Sequence, residues 1–138
     1  MIYMLDTNII VKAIRQKNHP VRKKLLNHIN GALCISSITY TELMYGVYHS
    51  QDPKKNLSAV YEILSWFQIL PFDLAAAESA GKIMASLAFR GTPIGDRDML
   101  IAGHALSKKF PIVTHNVREF ERVTGLQIED WLEQYPSL

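Results

Sequence analysis

The sequence predicts a three-layer α/β/α fold around a central, mostly parallel sheet. Short apolar runs recur along the chain at residues 2–5, 32–35, 67–70 and 110–114, each bounded by polar or turn-forming residues. Runs of that length read as buried strands, and the longer stretches between them carry the 3.6-residue periodicity of helices. Strands separated by helices cannot close as tight hairpins. They pair in parallel through right-handed crossovers, which lay helices on both sheet faces.

The elements follow in order. Residues 2–5 form the first strand and end at Asp6. Ile9, Ile10, Ala13 and Ile14 then fall on one helical face, with Asn8 as a candidate cap, until Pro20 interrupts and Val21, Leu25 and Leu26 begin further turns. The second strand, 32–35, leads to Ser36 or Ser37 as cap of a helix over 38–49, closed by Ser50-Gln51-Asp52-Pro53. Leu57, Val60, Tyr61 and Leu64 mark an amphipathic helix before the third strand. Asp73 caps a long Ala-rich helix over 74–89, where Gly81 is expected to admit a close neighbour. Gly91, Pro93 and Gly95 break the chain, Asp98 begins a helix to 108, and an edge strand is expected at 126–128. No repeat or low-complexity linker divides the 138 residues, so one domain spanning 1–138 is expected.

Composition narrows the classes of function. With 48% hydrophobic and 20% charged residues, the chain can bury a substantial interior. Cys34 is the single cysteine, which excludes an internal disulfide framework and a thiolate zinc cluster. No apolar run approaches the ~18 residues of a membrane span, and no basic leader precedes an apolar segment, so a cytoplasmic protein is expected. The net charge is only +2, but Lys12, Arg15, Lys17, Arg22, Lys23 and Lys24 crowd the first quarter, where Asp6 is the only acid before Glu42. Arg15, Arg22 and Arg118 are candidate contacts for nucleic-acid phosphates, although such a run also suits a solvated helix face.

Polar residues near strand ends point to chemistry. Parallel sheets bind ligands outside the carboxyl ends of their strands. Asp6 follows the first strand, Glu42 lies early in the helix after the second, Asp98 begins the helix before the fourth, and Asn116 and Glu119 follow the fourth. Gathered at one rim, these carboxylates repel one another unless a cation or a shared proton intervenes. Oxygen donors without clustered His or Cys favour Mg²⁺ or Mn²⁺ and thus phosphodiester hydrolysis. Asn8, Thr114 and Asn116 are candidates for orienting ligands or phosphate. Two other classes fit an acidic pocket on such a sheet: a phosphoacceptor domain, and a catalytically silent metal-binding interaction module.

Several motifs together resemble the PIN domain of VapC-type toxins: Met4-Leu5-Asp6-Thr7-Asn8, Ile35-Ser36-Ser37-Ile38-Thr39 leading to Glu42-Leu43, Asp98-Met99-Leu100-Ile101-Ala102, and Val113-Thr114-His115-Asn116 before Glu119-Phe120. The resemblance implies a Mg²⁺- or Mn²⁺-dependent endoribonuclease, the toxin half of a type II toxin–antitoxin pair, with transfer RNA as a suggested substrate. It further implies a homodimer neutralised by a cognate VapB-type antitoxin, which alone links it to DNA. By position, Asp6, Glu42 and Asp98 match the family's first three acids, with Asp98 preferred to Asp96 because it immediately precedes the apolar helix. Glu119 is the nearest carboxylate for the fourth. Asp6 and Asp98 are the implied metal ligands, and Asp6, Glu42, Asp98 and Glu119 the implied catalytic set.

Overall fold

The computed structural model describes residues 1–133; the final positions of the expected 1–138 unit, 134–138, lie outside the described residues. The chain runs β1 (Tyr3–Leu5), α1 (Thr7–Arg15), α2 (Pro20–Leu26), β2 (Leu33–Ser36), α3 (Ser37–Tyr48), α4 (Pro53–Leu64), β3 (Gln68–Leu70), α5 (Leu74–Arg90), α6 (Asp96–Lys108), β4 (Ile112–Val113), α7 (Val117–Phe120) and β5 (Ile128–Glu129). The strands form one five-stranded sheet in the order β3-β2-β1-β4-β5. Every pairing is parallel.

Strand alternation divides the interior in two. Leu5, Leu33, Ile35 and Val113 face a core shared with Ile9, Ile10 and Ala13 of α1, Leu25 of α2, Leu43 and Val47 of α3, and Ile63 of α4. Met4, Cys34 and Ile112 point the other way, into a core with Ile83 and Leu87 of α5 and Ile101, Ala102 and Ala105 of α6. The period of two along each strand thus makes three layers from one sheet. β4 has only two residues, but Ile112 and Val113 are fully buried in opposite cores. Each burial contributes about 1.5–3 kcal/mol, and pairing with β1 and β5 on its two edges completes the strand.

The ends of the helices differ in places from the sequence reading. Asp6 caps α1, its side chain accepting from the Thr7 amide, so Asn8 lies inside the helix. Ser36 caps α3, Asp73 caps α5, and Pro20 and Pro53 occupy first turns, where a missing N–H costs nothing. Asp98 does not cap α6: Gly95 does, and Asp98 lies two residues inside the start at Asp96. The short α7 was not expected.

The close approach between α5 and α6 also sits elsewhere than expected. A Cβ on Gly81 would meet nothing within 4 Å, whereas a Cβ on Gly103 would lie 2.5 Å from the Cα and N of Ala80. Gly103 on α6 therefore lets the α5 backbone in, and Ala80 supplies the small opposing surface. Among the described residues no helix is long and apolar enough to cross a membrane.

Candidate active site

The sheet order reverses between β1 and β4, because the chain moves outward from β1 to β3 and then returns to the other side of β1. A crevice opens at such a switch point, beyond the carboxyl ends of the two strands. Asp6 follows β1 and Thr114 follows β4, so the two buried side chains meet just beyond those strand ends. Asp6 is 3% exposed. Its Oδ2 accepts from the Thr114 hydroxyl at 2.8 Å and its Oδ1 from the Thr7 amide at 2.9 Å. Burial raises the Asp6 pKa, the two hydrogen bonds oppose that rise, and the nearby charges of Glu42 and Glu119 add to it.

Glu42 reaches the crevice from α3. Its Oε1 accepts from the Thr7 hydroxyl at 2.7 Å, and its Oε2 lies 3.8 Å from the Arg97 guanidinium. Thr7 thereby touches two acids, Asp6 through its amide and Glu42 through its hydroxyl. Asp98 comes from α6 on the opposite layer. Its pKa is pushed up to about 7, first by burial, then by a hydrogen bond with Glu119, then by the charges of Asp6, Glu119 and Glu42. Each of these causes favours the protonated form of the Asp98 carboxyl. Glu119 also accepts from the Asn116 side-chain amide at 2.8 Å, while the Asn116 backbone amide donates to the Thr114 hydroxyl at 2.9 Å. Asp6, Glu42, Asp98 and Glu119, remote in sequence, thus form one electrostatically connected group.

A buried histidine ties the two layers behind this group. His104 on α6 places Nδ1 2.8 Å from the Ser36 hydroxyl, which also caps α3 by accepting from Ile38 at 3.1 Å. Burial lowers the His104 pKa, so the ring is neutral in ordinary conditions. The helix carrying Asp98 is in this way pinned to the start of the helix carrying Glu42.

A PIN-domain family model matches residues 3–126. The tRNA(fMet)-specific endonuclease VapC of Shigella flexneri is 48% identical over 129 residues, covering 94% of this chain and 97% of that protein. The chain belongs to the PIN-domain family. A further VapC relative, Ribonuclease VapC2 of Haemophilus influenzae, is 39% identical over 130 residues, with 94% and 98% covered. Among solved structures, VapBC2 from Rickettsia felis bound to a promoter DNA fragment aligns with a TM-score of 0.90 at 37% identity, covering 95% of this chain and 99% of that one. DNA-bound VapBC from Salmonella typhimurium aligns with a TM-score of 0.90 at 44% identity, covering 95% and 98%.

Within this PIN domain the other expected contacts separate. Asn8 is exposed on α1 at the rim of the crevice, and Asn116 and Thr114 stand beside the acids as described. Arg15 is exposed and lines a groove of about 200 Å³ between α1, α3 and α4, which Glu42 and Gly46 also line. Arg118 is exposed on α7. Arg22 is different. Its guanidinium donates to the Ala13 carbonyl at 2.8 Å, pairs with Glu62 at 3.3 Å and lies 5.2 Å over the Trp66 ring. Its contacts join α1, α2 and α4. Cys34 is buried in the α5–α6 core with its thiol pushed up to about 12, which makes it inert packing.

Two residues of the site were not singled out from the sequence. Thr7 lay within the quoted motif, but its double contact depends on α3 packing above it. Arg97 left a signal: a cation in the first turn of a helix opposes the macrodipole and calls for a partner. That partner is Glu42.

Proposed function

We propose that this chain is a Mg²⁺- or Mn²⁺-dependent endoribonuclease, the toxin of a toxin–antitoxin pair, acting on transfer RNA and silenced by a VapB-type antitoxin. The observation that carries the reading is the convergence of Asp6, Glu42, Asp98 and Glu119 at the switch point, where burial and the neighbouring carboxylates raise the pKa of Asp6 and of Asp98. The relatives named as RNA endonucleases and the antitoxin complexes among the structural neighbours support the same reading.

The donor set fits a hard divalent cation, since it consists of carboxylate oxygens with no thiolate among them. Among the described residues no three acidic, His or Cys side chains converge as a ready-made metal cage. Mg²⁺ keeps most of its waters and takes one or two carboxylates. Asp6 and Asp98 would hold it, on the two elements that bring carboxylates from opposite layers to the switch point. When bound, the cation supplies Lewis acidity toward the phosphodiester and activates water for hydrolysis. Thr114 fixes the Asp6 carboxylate from the buried side, leaving its remaining lone pairs for the crevice. Arg97, exposed beside Glu42, is placed to meet a phosphate oxygen. A homodimer is part of the proposal, supported by Leu74 and Phe89 standing 88% and 93% exposed at the two ends of α5.

The phosphoacceptor alternative requires an accessible Asp ending a central strand; Asp6 ends the central β1 but is buried, with its two oxygens held by Thr7 and Thr114. β3 is an edge strand, and Asp73 after it caps α5 and pairs with Lys108 at 3.3 Å. The deciding experiment incubates purified protein with transfer RNA after chelation, with Mg²⁺ or Mn²⁺ restored, beside Asp98→Asn. Cleavage that returns with the metal and is lost in the variant is expected. RNA binding without turnover would favour the silent module, and cleavage persisting in chelator would overturn metal dependence.

A further inference from the structure

Next to the acids, at the same end of the sheet, lies a feature of opposite character. A cavity of about 390 Å³ is lined by Asn8, Lys12, His115, Asn116 and Leu132. It brings together Lys12, two side-chain amides and an imidazole, with no carboxylate lining it among the described residues. Asn8 and Lys12 sit one turn apart on α1 and so share a face, while His115 and Asn116 follow β4. Asn116 joins the two features, since its side chain donates to Glu119 at 2.8 Å. The cavity therefore begins where the acid group ends. A polyanion that must lie beside the acids is repelled by them, and donors alongside are what hold its backbone there.

His115 is the unusual member. Its side chain is 63% exposed, yet Nδ1 lies 3.0 Å from Oδ2 of Asp130, which is only 10% exposed. Asp130 is itself held, because its other oxygen accepts the amides of Leu132 at 2.9 Å and Glu133 at 3.2 Å. An ionised carboxylate only accepts, so Nδ1 carries the proton and Nε2 is the ring atom left for a ligand. In the neutral ring Nε2 accepts a hydrogen bond; in the cationic ring it donates one. A ribose 2′-hydroxyl both donates and accepts, and satisfies either state, whereas a phosphate oxygen satisfies only the second.

We propose that this cavity is the ribose–phosphate subsite for a nucleotide flanking the scissile bond, with His115 reading its 2′-hydroxyl and so setting a preference for RNA over DNA. The inference rests on the nuclease reading. Lys12 attracts the phosphate without regard to sequence, and Leu132 gives the sugar an apolar contact.

The test measures binding of an RNA oligonucleotide, its all-DNA counterpart and a set with single 2′-deoxy positions to non-cleaving Asp98→Asn protein, with and without His115→Ala. Truncating His115 is expected to weaken RNA binding about threefold to tenfold, the range of one hydrogen bond. DNA binding stays unchanged, and one 2′-deoxy position in the parent reproduces the loss. Equal losses for RNA and DNA, or an unchanged RNA-to-DNA ratio, would overturn the inference. The two readings fail separately. A parental protein that cleaves RNA while His115→Ala keeps its ratio refutes the subsite alone, and absence of any metal-dependent cleavage by the parent refutes the nuclease reading.

Discussion

Replacing Asp98 with Asn should make the metal-free protein more stable at neutral and alkaline pH while removing its activity. The folded-state pKa of Asp98, about 7, lies above the ordinary carboxylate value of 3.8. Folding therefore favours the protonated form. Well below pH 4 the group is protonated in both the folded and unfolded chains and costs nothing. As pH rises through 7 it must ionise beside Asp6, Glu42 and Glu119, and the stability that the proton conferred is lost. A shift of this size is worth about 4 kcal/mol in a dry site, and solvent screening of a half-buried group reduces it to about 2 kcal/mol. Asn mimics the protonated acid and can still donate to Glu119. Urea denaturation in EDTA should thus find Asp98→Asn about 2 kcal/mol more stable at pH 8, or roughly 6 °C by melting, with the difference vanishing well below pH 4. Adding Mn²⁺ should reverse the order, because only the parent gains binding energy from the ion. A variant no more stable than the parent at pH 8, or a difference independent of pH, would refute the claim that repulsion among these carboxylates is stored in the fold.

Other perturbations test separate parts of the construction. Thr114→Ala removes the donor to a buried Asp6 and the acceptor of the Asn116 amide; it should cost about 1–3 kcal/mol in denaturation and weaken Mn²⁺ binding measured by calorimetry. Gly103→Ala drives a methyl into the Ala80 backbone and should cost at least about 1–3 kcal/mol, whereas Gly81→Ala, on an open helix face, should stabilise by about 1 kcal/mol. Arg97→Ala should leave the melting temperature within about 2 °C, since exposed ion pairs contribute little, but raise KM for RNA with kcat preserved.

Much of the fold was legible because its signals are local. Four apolar runs separated by amphipathic stretches leave parallel pairing as the simplest outcome, and the alternation Met4/Leu5 or Ile112/Val113 follows from strand geometry alone. What escaped depended on packing between distant segments. The cap of α1 fell to Asp6 rather than Asn8 because Thr114, more than a hundred residues away, holds the Asp6 side chain from behind. Gly81 and Gly103 are equally small, and only the way α5 lies across α6 makes the second indispensable. Arg22 resembled its basic neighbours until the carbonyl of Ala13 and the ring of Trp66 gave it a structural use.

The same distinction explains the site. Residue type and position along the chain were enough to nominate acids for a common rim, since loops after parallel strands converge at one end of the sheet. Their individual states follow from contacts that only the folded chain supplies. Asp6 is buried and held by two donors, while Asp98 is half-buried with a second carboxyl against it. The first is therefore a rigid anchor and the second a group whose charge is readily given up or regained. A cation arriving in the crevice would displace the proton that Asp98 holds, so metal binding should release protons near neutral pH and tighten as pH rises. Calorimetry of Mn²⁺ binding in buffers of different ionisation enthalpy reads that release directly. A proton count near zero at pH 6 would show that Asp98 is already ionised there and would remove the distinction between the two aspartates.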